Sequence, residues 1–366
     1  MKDIRKFLVI LFIIFSIILA TLTVMAQASS NNKISARSSV LYSPDLGLFL
    51  EENNSCERMS MASTTKIMTA LIAIENLDLE KQVEVTSEST NIEGSSLYLK
   101  VGDKLTVKDL LYSLLLRSAN DAAVALAIET SGNVENFAVL MNKRAEAIGL
   151  KDTNFENPHG LDSSNHYTTA RDLALLASEA LKNDTFKKIC STYKYSFNLG
   201  DGIRTVVNHN KLLKTYDGAI GVKTGFTKKS GRCLVSAALR DGVTLIAVTL
   251  DAANDWADHT DLLNNGFKRV RHINLSDVTN TSFIIPTIGL DKEEIRASIQ
   301  GSGGIFLLDN ENITVKTELA QYITGQLRKG DKVGSIKVYK DSSRYLVFDI
   351  VADEDAKQNK KDRLFS

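Results

Sequence analysis

Residues 219–250 read AIGVKTGFTKKSGRCLVSAALRDGVTLIAVTL, and the apolar side chains in this stretch follow a period of two. Two turn signals, KKSG at 228–231 and Asp241-Gly242, divide it into three segments. An Asp-Gly step between apolar segments is a strong signal for a two-residue hairpin. The stretch therefore predicts three consecutive strands of an antiparallel sheet.

The residues before this sheet have the period of helices. One apolar face is formed by Ile67, Ala70, Leu71 and Ile74, at i, i+3, i+4 and i+7. Thr106-Val-Lys-Asp109 resembles a capping box at the start of a second helix. Further helices are predicted over 121–132, 137–147 and 169–181. Two short strands within 39–50 precede all of these helices. This order of elements predicts an α+β domain over 33–270, with a helical block packed on an antiparallel sheet.

The chain after residue 281 contains short alternating strands and no long helical pattern. We expect a small all-β C-terminal domain over 282–352. A polar stretch, 274–281, is predicted to link the two domains. The charged residues after 352 are predicted to fray.

Composition excludes several classes of function. Forty-four basic and 44 acidic residues cancel, so no basic field is present to hold a nucleic acid. The three cysteines lack the CxxC spacing of a zinc or iron–sulfur site. His159 and His166 are seven residues apart in a loop-like stretch, which disfavours a metal site. We expect no metal and no cofactor.

Residues 1–28 have the layout of a secretory signal peptide. A basic start is followed by 19 mostly apolar residues, 7–25, and by Ala26-Gln27-Ala28. The alternative is an uncleaved membrane anchor, because a run of this length is close to what spans a bilayer. Both interpretations place the body of the protein outside the cytoplasm. It would lie at the extracellular face of the cytoplasmic membrane or in the cell wall, or it would be secreted. We expect membrane contact only through this segment, since the C-terminal 15 residues have no apolar face.

The pattern Ser63-Thr-Thr-Lys66 at a helix start places a nucleophile and a base about one turn apart. The helix start also supplies backbone N–H groups where an oxyanion would form. To accept the serine proton, the lysine must be a neutral amine, which requires desolvation or a second nearby cation. Alone, the pattern is weak, because it also occurs at 30–33 and 191–194.

Two further short patterns give the first one context. Ser118-Ala119-Asn120 falls between two predicted helices, and Lys223-Thr224-Gly225 falls on a predicted strand. Taken singly, each has a plain structural interpretation, as a polar interhelical turn or a strand lysine. The three patterns in this order, on a helix start, a loop and a strand, predict one catalytic site.

The stretches around these patterns resemble a known family. MASTTKIMTAL (61–71), LLRSANDAAVALA (115–127) and GVKTGFT (221–227) resemble the three motifs of the penicillin-recognising serine enzymes. More narrowly, they are similar to low-molecular-mass penicillin-binding proteins that are D-alanyl-D-alanine carboxypeptidases. FENPHGL, HYTTARD and NHNKLL, which begin at 155, 166 and 208, agree with this resemblance, and KGDKVG at 329–334 is similar to the family's C-terminal domain.

The resemblance implies the fold of these enzymes and removal of the terminal D-alanine from peptidoglycan pentapeptides through an acyl-enzyme. It also implies inhibition by β-lactam antibiotics and a role in cell-wall synthesis. By motif, the implied catalytic residues are Ser63 as nucleophile, Lys66 as base and Ser118 as proton relay to the leaving D-alanine. The implied substrate-binding residues are Asn120 for the substrate amide, Lys223 for the terminal carboxylate, and Thr224, Gly225 and Phe226. The N–H groups of Ser63 and Phe226 would form the oxyanion hole.

Two departures from the family and two alternative functions stay open at this point. The first departure is that the family's amphipathic C-terminal anchor has no counterpart in the C-terminal 15 residues; the second concerns an arginine. Family members often carry a carboxylate-binding arginine beyond the third motif, but AANDWADH at 252–259 has none. Arg232 could substitute for it, or could be a solvated strand-edge residue. A β-lactamase would need a second base, for which Glu156 could be proposed. A non-catalytic penicillin- or wall-binding protein is the other alternative.

Overall fold

The computed structural model describes residues 34–200, 202–301, 304–341 and 343–359. The predicted signal segment, 1–28, lies outside the described residues. Within the described part of the chain, no helix combines the length and the apolar character needed to cross a membrane.

Strands of the first part of the chain form a central sheet and two small two-stranded sheets. They are β1 (Ser38–Ser43), β2 (Leu48–Asn53), β3 (Gln82–Glu84), β4 (Lys104–Thr106), β5 (Lys194–Leu199), β6 (Gly202–Val207), β7 (Ala219–Thr227), β8 (Gly231–Arg240) and β9 (Val243–Leu250). The central sheet is antiparallel in the order β2-β1-β9-β8-β7. The two small sheets pair β3 with β4 and β5 with β6. The three strands predicted from 219–250 are confirmed, and Phe226 pairs with Arg232 across β7 and β8.

The helical block lies between β2 and β7 in the chain, and one further helix follows β9. The helices are α1 (Lys66–Asn76), α2 (Val107–Tyr112), α3 (Asn120–Ser131), α4 (Val134–Ile148), α5 (Ala170–Leu181), α6 (Asp184–Ser191), α7 (Leu212–Thr215) and α8 (Asp255–Phe267). The first five cover the helices predicted from sequence. The structure adds α6, α7, α8 and the hairpin of β5 and β6, which the sequence patterns do not predict.

The predicted α+β fold is confirmed, and local sequence signals explain its helix boundaries. At the start of α2, Thr106 and Asp109 form the reciprocal hydrogen bonds of a capping box. Residues 66–73 of α1 are all buried, because α1 is enclosed by α3, α4, α5 and the sheet. A helix buried on all sides fixes its first turn rigidly against its neighbours.

A second core forms in the C-terminal part of the chain. Its strands are β10 (Val270–Asn274), β11 (Ser282–Pro286), β12 (Glu294–Ile299), β13 (Gly304–Leu308), β14 (Ile313–Leu319), β15 (Lys332–Lys340) and β16 (Ser343–Ala352). Five of them form a sheet in the order β11-β12-β16-β15-β14, and β10 pairs with β13. The predicted β-rich character is confirmed, while the domain boundaries 33–270 and 282–352 stay predictions.

Two details of the C-terminal part differ from the sequence predictions. Leu275, inside the predicted linker 274–281, is 1% exposed and belongs to the second core. Ala356, inside the predicted frayed tail, is fully buried and bridges to Leu327. In both cases a single apolar residue in a polar stretch inserts into the core, which average composition does not reveal.

Candidate active site

Ser63 lies in a 3-10 turn, Ala62–Thr65, that runs directly into α1. Ala62 has a φ of 47°, a left-handed backbone that residues with a Cβ rarely adopt. Its carbonyl oxygen accepts a hydrogen bond from Thr65 Oγ1 at 2.8 Å. Gly160 packs on the same carbonyl, where a Cβ would come within 1.9 Å of Ala62 O. The turn that presents Ser63 is therefore held from two sides, and position 160 requires glycine.

Lys66 is the first residue of α1, and its side chain is fully buried. Its Nζ lies 2.9 Å from Ser63 Oγ. The same Nζ donates to Asn120 Oδ1 at 2.6 Å and to the carbonyl oxygen of His159. A neutral amine has two N–H groups and one lone pair. Since two carbonyl oxygens accept the two N–H groups, the lone pair is left for the hydroxyl proton of Ser63.

The electrostatic surroundings favour this neutral form of Lys66. Burial lowers the pKa of Lys66 well below its ordinary value, and the positive charge of Lys223 lowers that pKa further. The carboxylate of Asp121 acts in the opposite direction. Desolvation and a nearby like charge are the two ways to make a lysine act as a base near neutral pH.

Ser118 lies between a π-helical turn, Ser113–Arg117, and α3, and Asn120 is the first residue of α3. Ser118 has a φ of 64° and is buried. The backbone N–H of Asn120 donates to Ser95 O at 2.7 Å, and its Nδ2 donates to Glu93 O. The predicted interhelical position is confirmed for Ser118 and Ala119, whereas Asn120 already belongs to α3. Single π-helical turns of this kind are frequent at functional sites.

Lys223, Thr224 and Gly225 lie on β7, alongside the turn of Ser63. A Cβ on Gly225 would lie 3.0 Å from Ser63 N, so the strand passes close to the nucleophile at this point. The Lys223 side chain is 1% exposed, and its Nζ donates to Thr224 O at 2.8 Å. Burial lowers the pKa of Lys223 to about 7. A partly charged lysine thus lies behind the strand, close enough to influence Lys66.

A cleft of about 300 Å³ opens at Ser63. Among the residues predicted from sequence, its lining includes Ser63, Ser118, Thr224, Gly225 and Phe226. The structure adds Ser95, His209, Arg232, Asp255 and Trp256 to that lining. The three motifs therefore meet at one cleft, with Lys66 and Lys223 buried behind its surface.

Arg232 contributes a cation to this cleft. Its guanidinium forms an ion pair with Asp255 at 2.8 Å, and its Nε donates to the same oxygen at 2.9 Å. Asp255 is the first residue of α8 and is almost completely buried. Of the two interpretations of Arg232 left open by the sequence, a purely solvated arginine is excluded.

His166 is a buried residue of the site to which the sequence assigns no role. Its Nδ1 accepts a hydrogen bond from the backbone N–H of Glu156 at 3.0 Å. Its Nε2 therefore carries the proton and donates to Thr65 Oγ1 at 2.8 Å. Burial lowers the pKa of His166 to about 4, so this neutral form is present at neutral pH. The only sequence signal for it is its position in the family-like stretch HYTTARD.

Glu156, which a β-lactamase interpretation would use as a second base, is engaged within its own loop. Its carboxylate accepts hydrogen bonds from Ser163 Oγ and from the backbone N–H of Asn165. The hydrogen bond from Ser163 is the main cause that lowers the pKa of Glu156. Glu156 is therefore committed to loop structure rather than to the activation of a water molecule.

Comparisons with known proteins agree with this geometry. A family described as D-alanyl-D-alanine carboxypeptidase matches residues 25–254, and a family described as penicillin-binding protein 5, C-terminal domain, matches 308–358. The D-alanyl-D-alanine carboxypeptidase DacF of Bacillus subtilis (strain 168) is 33% identical over 335 residues, which cover 88% of this chain and 86% of that protein.

Two solved structures are similar in fold. Penicillin-binding protein 5 from Haemophilus influenzae matches with a TM-score of 0.66 and 26% identity, over 89% of this chain and 98% of that one. The DD-transpeptidase of Streptomyces K15 matches with a TM-score of 0.62 and 36% identity, over 64% of this chain and 98% of that one. The first comparison spans both cores described above.

Proposed function

The chain belongs to the D-alanyl-D-alanine carboxypeptidase family of penicillin-recognising serine enzymes, and on this premise we propose that it removes the terminal D-alanine of peptidoglycan pentapeptides through an acyl-enzyme on Ser63. It is a serine-type peptidase, and neither alternative, β-lactamase or non-catalytic binding protein, is supported by the comparisons. The observation that carries the proposed roles is the contact of 2.9 Å between Lys66 Nζ and Ser63 Oγ.

In the proposed acylation, Ser63 Oγ attacks the carbonyl carbon of the bond between the two D-alanines. Lys66, as a neutral amine, accepts the hydroxyl proton. The negatively charged oxygen of the tetrahedral intermediate accepts hydrogen bonds from the backbone N–H groups of Ser63 and Phe226. The proton then passes through Ser118 to the amine of the leaving D-alanine, and the carbon–nitrogen bond breaks.

The remaining residues hold the peptide in place. Asn120 binds the substrate amide, while Thr224, Gly225 and Phe226 flank the peptide as the edge of β7. Gly225 leaves room between β7 and the turn of Ser63, since a Cβ there would lie only 3.0 Å from Ser63 N. Lys223 supplies positive charge that favours the terminal carboxylate and the neutral form of Lys66. In deacylation, water gives a proton to Lys66 as it adds to the ester carbon, the bond between that carbon and Ser63 Oγ breaks, and Lys66 returns the proton to Ser63 Oγ as the shortened peptide leaves.

A β-lactam should enter the same path. Its strained amide presents an acyl carbon to Ser63, and its leaving nitrogen stays attached to the adduct. We propose that the natural setting is the peptidoglycan outside the cytoplasm. We further propose that residues 1–28 serve export, either as a cleaved signal peptide or as a membrane anchor.

The decisive experiment combines two measurements on the purified protein. Release of free D-alanine from a peptide ending in D-Ala-D-Ala tests the reaction, and mass spectrometry after exposure to benzylpenicillin maps the adduct. We expect D-alanine release and an adduct on Ser63, both abolished in Ser63→Ala. An adduct on another serine, such as Ser191, would overturn the assignment, and rapid turnover of nitrocefin would instead favour a β-lactamase.

A further inference from the structure

The cleft contains a cation that none of the three motifs supplies. Arg232 on β8 faces Phe226 on β7, and its side chain is 45% exposed. Its guanidinium lies 5.9 Å from the centroid of the Trp256 ring, which also lines the cleft. The positive charge of Arg232 is therefore accessible from the cleft. Its neighbours Asp255 and Trp256 hold it in position.

Asp255 is the residue that holds this guanidinium. Both the ion pair and the hydrogen bond from Arg232 end on the same carboxylate oxygen of Asp255. An arginine has five N–H donors in a planar fork, so Asp255 occupies only part of them. The remaining N–H groups can donate hydrogen bonds to a second carboxylate. The planar guanidinium matches the geometry of a carboxylate well.

Lys211 is exposed and its Nζ lies 5.9 Å from the centroid of the Trp256 ring, but it does not line the cleft, and the other basic groups at the cleft are buried or neutral. Lys223 is 1% exposed, and its Nζ is directed to Thr224 O. His209 lines the cleft, but burial lowers its pKa to about 4, so it is neutral at pH 7. Among the described residues that line the cleft, Arg232 is thus the cation available at neutral pH.

We propose that Arg232, positioned by Asp255, binds the C-terminal carboxylate of the peptide, and that Lys223 acts on this carboxylate only through its field. This inference rests on the proposed function and names the group that selects its substrate. In the stretch 252–259, where the resemblance implies an arginine, the chain instead has Asp255, which holds an arginine from the neighbouring strand.

The charges around the cleft select for a free chain end. Arg232 and Lys223 together carry up to two positive charges, against one negative charge on Asp255, so the empty site favours one anion. A peptide with a free terminal carboxylate supplies that anion, whereas a peptide continued or amidated beyond the second alanine does not. The enzyme should therefore act at the chain end and discriminate against internal or blocked bonds.

The test compares two peptides that differ only in a free or amidated C-terminus after D-Ala-D-Ala. For Arg232→Gln, we expect kcat/KM on the free peptide to fall about 10- to 100-fold, the usual effect of losing a hydrogen bond to a charged group. Activity on the amidated peptide should stay unchanged. Arg232→Lys, which keeps the charge, should recover part of the loss, and Asp255→Asn should raise KM on the free peptide.

Lys229→Gln is the matched control, because Lys229 is an exposed cation in the turn between the same two strands. It removes one charge from the hairpin and should leave both peptides unaffected. Equal discrimination between the two peptides in wild type and Arg232→Gln would overturn the inference, as would an equal loss on both peptides. If Arg232→Gln does not fold, the other two variants decide. A wild-type ratio of kcat/KM between the free and the amidated peptide in both Arg232→Lys and Asp255→Asn would then overturn the inference. Failure of the wild-type protein to release D-alanine would instead overturn the proposed function.

Discussion

Lys66 Nζ donates to Asn120 Oδ1 at 2.6 Å, although the two residues are 54 positions apart in the chain. This contact joins the first motif to the second, and both side chains are buried where it forms. It fixes the direction of the amine, because a lysine on a flexible stem has no preferred orientation of its own. The proposed base is therefore positioned by the second motif as well as by its own helix.

Replacement of Lys66 should stop the chemistry while leaving substrate binding largely intact. We expect Lys66→Ala to lower the rate of acylation by benzylpenicillin about 10²- to 10⁴-fold, the range typical of a lost general base. Lys66→Arg should be equally impaired, because arginine cannot be deprotonated in proteins. Stopped-flow acylation rates measure this. Near-normal acylation by the arginine variant would exclude Lys66 as the base.

Removal of the charge on Lys223 should change the pH dependence of the reaction. The positive charge of Lys223 helps to lower the pKa of Lys66, so Lys223→Ala should let that pKa rise. Because the reaction needs neutral Lys66, the acid limb of the profile of kcat/KM against pH should move to higher pH. KM should also increase. Lys223→Arg, which keeps the charge, is the control, and an acid limb unmoved in Lys223→Ala would show that burial alone tunes Lys66.

His259 should make the folded protein sensitive to acid. It is fully buried on α8, and its Nε2 is 2.9 Å from Thr249 Oγ1. Burial lowers its pKa from 6.5 to about 3. As the pH falls below 6.5, the unfolded chain binds a proton that the folded protein cannot, so the free energy of unfolding falls by up to about 1.4 kcal/mol per pH unit.

Urea unfolding at pH 7, 6 and 5 measures this effect, and His259→Gln isolates it. Below pH 6.5 the stability of the variant should fall less steeply than that of the wild type. The difference between the two proteins removes the contribution of carboxylates and of the other buried histidines. Parallel stability curves for wild type and variant would contradict the prediction.

The β-rich C-terminal part should be dispensable for acylation. The cleft is lined by residues up to Trp256, and the second core begins at Leu275. Because Leu275 belongs to the second core, a chain truncated after Arg269 separates the cores better than one ending at 275. We expect this shortened protein to bind benzylpenicillin at a rate near that of the full chain. An unreactive or misfolded product would show that the two parts depend on each other.

Membrane attachment should depend on residues 1–28. The apolar run 7–25 would extend about 28 Å as a helix, close to the hydrocarbon thickness of a bilayer. N-terminal sequencing of the native protein distinguishes the two forms. A start near Ser29 in the soluble fraction indicates a secreted enzyme, and an intact start in membranes indicates an anchor. Membrane retention of a protein cleaved after Ala28 would contradict both.

Some helices were beyond the reach of the sequence patterns for a definite physical reason. The buried face of α8 consists of Asp255, Asp258, His259, Leu262, Leu263 and Gly266. This spacing is helical, but four of the six residues are polar or glycine, so no apolar stripe marks it. Polar side chains can occupy that face because partners on other elements satisfy them, such as Arg232 for Asp255.

The sequence by itself determined the strands of 219–250, the helical block, the β-rich C-terminal part and the three motifs, because periodicity, caps and turns are local properties of neighbouring residues. Only the tertiary structure decided which distant groups meet. The contacts of Lys66 with Asn120, of His166 with Thr65 and of Arg232 with Asp255 join residues 23 to 101 positions apart. Such contacts depend on how α1, α3, α8 and the sheet pack together, and burial in that packing lowers the pKa of Lys66. Packing therefore determines the burial and the charged neighbours that set the pKa of Lys66, and these cannot be seen in a local sequence pattern.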